Sequence, residues 1–205
     1  MARPLHHTGP NPPMTRLARP KITRRRGFTL IELMIVVAIV GILAVLGIVG
    51  YRKLILSAHT SEATHMVQGI RVAEEAYHAE AQTYVSTSPN GLAPTFPSAT
   101  PGAFVMPWFT PVGNCADAVA SQAVVCWNLL PVHTDGPVAY GYATVAGAAG
   151  TTPPNVGPLS PPPGPYATDW YWISATGDPA GYGAGGPFSY VIGNSFSNEL
   201  YVQDQ

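Results

Sequence analysis

Past Arg71 this chain contains no lysine or arginine, although nine of its 11 acids lie beyond that point. A surface so poor in cations repels phosphate backbones, which argues against nucleic acid as a partner. Charge of either sign is scarce, at 10% of 205 residues against about 25% in ordinary soluble proteins. Cysteine is scarcer still, with only Cys115 and Cys126. No histidine or second cysteine pair sits near them at ligand spacing, which argues against a metal centre. Catalytic signatures are missing too: there is no G-x-S-x-G, H-E-x-x-H or C-x-x-C.

Three weaker patterns carry little. Gly181, Gly183 and Gly186 fit G-x-G-x-x-G, but Asp178-Pro179 precedes them and Pro187-Phe188 follows. A dinucleotide fingerprint needs a strand before and a helix after; a flexible turn fits better. Asp178 invites comparison with a calcium loop, yet calcium takes several carboxylates on alternating positions and Asp178 stands alone, so it also reads as a turn. His59, His65 and His78 scatter around one helix and read as solvated side chains.

What the chain does have is asymmetry. Seven of its ten basic residues precede Gly27, ending in Arg24, Arg25 and Arg26. The run from Phe28 to Tyr51 that follows is apolar, with Glu32 as its one acidic or basic side chain. As a helix it measures about 36 Å, enough to cross a hydrocarbon core of about 30 Å. Basic residues crowd its N-terminal side, and only Arg52 and Lys53 follow it. The positive-inside rule therefore predicts a single membrane pass with the N-terminus in the cytoplasm and the long C-terminal part outside. A secretory signal peptide would have a shorter apolar region and a small-residue cleavage site, whereas Tyr51-Arg52-Lys53 follows here. An uncleaved anchor remains the stronger alternative.

Glu32 separates the two. A carboxylate inside a membrane span costs about 2.5–3.5 kcal/mol near the centre and less near an end. A mere anchor gains nothing from it, unless the side chain snorkels to the cytoplasmic interface. Cutting after Gly27 would give Phe28 a free amine, and copies staggered by about one turn could pair that amine with Glu32.

Arg26-Gly27-Phe28-Thr29-Leu30-Ile31-Glu32, with its apolar continuation, resembles the prepilin motif of type IV pilins and of the pseudopilins of type II secretion. The resemblance covers about residues 21–55. It implies cleavage after Gly27 by a prepilin peptidase that also methylates Phe28, and a role for Glu32 in assembly. It implies as partners copies of the chain, related pilins, that peptidase/methyltransferase, the inner-membrane assembly machinery and, before assembly, lipid; no cofactor is implied. Many pilins carry a proline late in the apolar run, where Val49 stands here; Gly47 and Gly50 are candidate points of local melting. The implied leader, 1–27, is long, and a start at Met14 would shorten it.

The expected organisation is a cleaved basic leader over 1–27, a transmembrane and assembly helix over 28–51, its amphipathic continuation over 52–86 and a β-rich head over 87–205. Ala63, Met66, Val67, Ile70, Ala73, Tyr77, Ala81 and Tyr84 step by three or four, predicting a helix to about Tyr84. Glu62, Gln68, Glu74, Glu75 and His78 fall largely off that stripe. Strands are predicted over Pro137–Val145, Trp170–Ala175, Phe188–Gly193 and Glu199–Val202, giving an α+β fold with the helix on a small antiparallel sheet. Trp170, Tyr171 and Trp172 read as sheet packing. Thr151–Pro165, which holds seven prolines, reads as an extended exposed loop. Outside the cytoplasm the two cysteines, with ten positions between them, read as a disulfide, with free thiols or a metal site as rivals.

The leading expectation is a structural subunit, a major or minor pilin of a surface fibre that serves motility or adhesion. A pseudopilin of a periplasmic secretion filament is the alternative. A membrane-anchored enzyme or binding protein would need a polar constellation that the sequence lacks.

Overall fold

The computed structural model describes Gly9 and residues 27–88, 95–98, 104–109, 123–156, 158–179, 181 and 188–203. The chain divides into two compact units, one up to Val45 and one from Leu46 onward. Helix α1, Leu30–Ala81, contributes to both. The four strands are β1 (Tyr140–Gly147), β2 (Trp170–Gly177), β3 (Ser189–Asn194) and β4 (Tyr201–Gln203). They form an antiparallel meander in the order β1-β2-β3-β4. The architecture is α+β, as the periodicities predict.

In the first unit, the helix from Leu30 to Val45 is exposed at every position. By length and composition α1 is able to cross a membrane. Its start is specified locally. Thr29 sits just before the helix and its Oγ1 accepts the Glu32 N–H at 3.3 Å, while its carbonyl accepts the Leu33 N–H at 3.2 Å. This is the hydroxyl half of a Thr-x-x-Glu capping box, with Glu32 at the position where a helix favours negative charge.

In the second unit, Ala63, Val67, Ile70 and Ala73 are buried on one stripe of α1. They share a core with Tyr140, Tyr142, Tyr171, Ile173, Ala175 and Val191 of the sheet. Alternation along the strands makes this possible, because every second residue points to the helix. Gly193 marks a close approach: a Cβ there would lie 3.0 Å from Val67 Cγ1 and 3.1 Å from Leu200 Cδ2. Phe96 extends this core, exchanging backbone hydrogen bonds with Tyr142 and meeting Trp108 edge-on at 4.7 Å.

Several expectations need correction. The helix stops at Ala81, short of Tyr84, because Gln82 turns left-handed (φ 56°). The turn stacks Tyr84 on His78 at 4.2 Å and sets it edge-on to Tyr171 at 4.7 Å. His78 is therefore packed and lies 3.7 Å from Asp169, not merely solvated. Residues 137–139 are not part of β1; Val138 instead bridges Met106. The proline-rich segment is not simply exposed either. Val156 and Leu159 bridge each other and join Val145, Trp170, Trp172 and Ile192 on the second face of the sheet. Glu74, expected off the apolar stripe, is fully buried within it.

Candidate functional site

The residues singled out for processing lie together at the start of α1. Gly27, Phe28 and Thr29 have no regular secondary structure and are exposed, with Phe28 at 81%. An added Cβ at Gly27 would meet nothing within 4 Å, so no packing within the described residues requires glycine there. Exposed apolar helix follows, and Glu32 projects from its first turn, also exposed. Its side chain has no hydrogen-bond or ion-pair partner among the described residues. The arrangement offers an accessible peptide bond, then a carboxylate one turn into an uncovered apolar helix.

Gly41, Gly47 and Gly50 lie inside α1 with open space where a Cβ would be. Each weakens the helix by about 1 kcal/mol relative to alanine without gaining a contact in a single copy. Cys126 is 5% exposed, is disulfide-bonded and sits in a short 3-10 helix, Ala123–Leu129. Cys115, Gly183 and Gly186 lie outside the described residues.

Elsewhere the polar groups are committed to structure. Asp178 accepts the Gly181 N–H at 2.9 Å through its side chain, closing a turn at a glycine with φ 80°. No group of three or more metal-ligating side chains converges among the described residues. A cleft of about 550 Å3 lies beside Arg71, Val72, Glu75 and Tyr171. The Arg71 guanidinium is already engaged: it donates to the Ser197 carbonyl at 2.9 Å and to the Asn198 carbonyl at 3.1 Å. The Glu75 carboxylate accepts the Tyr84 hydroxyl at 3.3 Å. Burial pushes the Glu74 carboxyl up to about 7, against the opposing hydrogen bond from the Val85 N–H.

Three of these roles escape the sequence reading. Thr29 carries a usable signal, Thr-x-x-Glu ahead of an apolar run. Arg71 carries one too, as the last cation in the chain and so a natural clamp for an acidic or carbonyl-rich loop. Glu74 gives none, since an acid next to Glu75 reads as a solvated face.

Comparison with known proteins agrees with the motif. The profile of the prokaryotic N-terminal methylation motif matches residues 22–48. The chain is 41% identical over 71 residues to a type IV major pilin protein, PilE1, of Neisseria gonorrhoeae, covering 35% of this chain and 33% of that one. It is 44% identical over 61 residues to the type IV major pilin protein PilA of Myxococcus xanthus, covering 30% and 28%. A fimbrial protein of Moraxella nonliquefaciens is 49% identical over 47 residues, covering 23% and 30%. The chain thus spans about a third of the length of the curated relatives it matches. No solved structure matches.

Proposed function

We propose that this chain is a type IV pilin, a structural filament subunit and not an enzyme, a reading supported by the methylation-motif match over residues 22–48 and by its similarity to type IV pilins. The observation that carries the reading is the exposed Gly27-Phe28 bond followed by Glu32 on an uncovered apolar helix. Cleavage after Gly27 by a prepilin peptidase would remove seven of the ten basic residues and leave an amine on Phe28. A methylated amine stays basic and cationic, so it can pair with Glu32 of a neighbouring copy. In low dielectric an unpaired carboxylate is penalised, which sets the stagger between copies.

The precursor would wait in the inner membrane, N-terminus inside and head outside. Once copies leave the lipid, each large side chain between Leu30 and Tyr51 left in water would cost about 1.5–3 kcal/mol. Packing these helices against one another removes that exposure and holds the fibre together. Open space at Gly47 and Gly50 suits adjustment of the helix during that packing. The head disulfide would join Cys115 to Cys126.

Replacing Glu32 with Gln or Ala tests this reading. We expect normal cleavage and membrane insertion with loss of fibres; normal fibres would overturn it. A deletion strain that loses surface fibres or twitching supports a pilus, while one that loses only protein export supports the pseudopilin alternative.

A further inference from the structure

Charges on the helix from Arg52 to Ala81 fall into two groups. Most are engaged within the chain: Glu62 accepts the Ala139 N–H at 3.2 Å and lies 3.7 Å from His59. Arg71 holds the loop at Ser197 and Asn198, Glu74 is buried and Glu75 meets Tyr84. Arg52, Lys53 and Glu80 are exposed and make no ion pair or side-chain hydrogen bond among the described residues.

Lys53 and Glu80 lie about 40 Å apart along the helix, or about seven and a half turns, so they project from opposite sides. They cannot meet within one molecule. A two-fold pair presents one patch to itself and cannot use two opposite sides at once, whereas a head-to-tail contact can, and such contacts propagate into filaments. The stretch Phe28–Gln205 is strongly acidic, with 3 basic and 11 acidic side chains and a net charge of −8. In a stack of copies without their leaders, Arg52 and Lys53 are the cations left for a neighbour's acid, apart from the Phe28 amine.

Resting on the filament reading above, we infer that Lys53 of one copy pairs with Glu80 of a parallel second copy displaced by about 40 Å along the helix. Electrostatic complementarity of this kind fixes register more than it adds affinity.

The test uses fibres sheared from cells that make the full chain. Zero-length carbodiimide coupling should join the Lys53 amine to the Glu80 carboxylate as an amide, which mass spectrometry identifies and which can only be intermolecular. Lys53→Glu or Glu80→Lys should each lower fibre yield about tenfold, and the two together should restore it to within about twofold, as for like and unlike charges at a register-setting contact. Neither side chain has a partner among the described residues, so precursor level and cleavage should not change. Wild-type fibres that give no such cross-link, a yield indifferent to the reversals, or a double reversal no better than the single ones would overturn this inference alone. Absence of the chain from fibres would overturn the filament reading and this contact with it.

Discussion

The Glu74 carboxylate accepts the Val85 N–H at 2.9 Å, tying the last turns of the helix to the chain that leaves it. Its other oxygen, Oε1, is buried with no hydrogen-bond partner among the described residues. Desolvation outweighs the hydrogen bond, and Glu75 next to it adds repulsion, so the carboxyl titrates at about 7 in place of 4.5. The folded-state value lies above the unfolded one, so the neutral form is the one the fold prefers. That contribution is fully present below about 4.5 and is lost as the pH rises through about 7, with a full effect on the order of 3 kcal/mol. Thermal unfolding of the full chain in detergent should show wild type losing stability relative to Glu74→Gln across this window. A constant difference between the two would contradict the assignment.

Arg71 should matter for the C-terminal loop more than for the fibre axis. Its bonds to the Ser197 and Asn198 carbonyls hold the β3–β4 connection against α1. Hydrogen bonds to a charged donor contribute about 1.5–3 kcal/mol. Arg71→Met should lower stability by about that amount and raise amide exchange in residues 195–200. Arg71→Lys should rescue only partly, because an ammonium cannot span both carbonyls as the guanidinium fork does.

Gly193 tests the helix–sheet contact. A methyl there would press on Val67, Leu200 and the Arg71 stem at 3.0, 3.1 and 3.3 Å. Overpacking of this kind costs about 1–3 kcal/mol. Gly193→Ala should lower Tm, and Val67→Ala in the same chain should recover part of the loss.

Sequence and structure agree where one periodicity dominates. The helix and all four strands are legible because apolar residues recur at helical or alternating spacing between turn residues. The end of the helix is not, because Tyr84 keeps the apolar spacing while serving a different contact, the stack on His78. The proline-rich segment hides its packing because Val156, Leu159 and Tyr166 are isolated apolar residues, and their partners Trp170 and Trp172 lie on a second sheet face. Gly27, Phe28 and Glu32 stand out because a short motif carries them and a long apolar run marks their place.

The disulfide can be checked by chemistry. Peptide mapping without reduction should join the peptides containing Cys115 and Cys126. Reduction should destabilise the head by about 3 kcal/mol, as expected for closing a short loop. Trp127, next to Cys126 and 3% exposed, reports the change through its fluorescence. Unlinked peptides in the native protein would contradict the pairing.

Assembly through a new amine is tested most directly by mass spectrometry of the N-terminal peptide of this chain in sheared fibres. That peptide should begin at Phe28 and carry a single methyl group on its amine. A chain that keeps Arg24, Arg25 and Arg26 in the assembled fibre would contradict the proposed function.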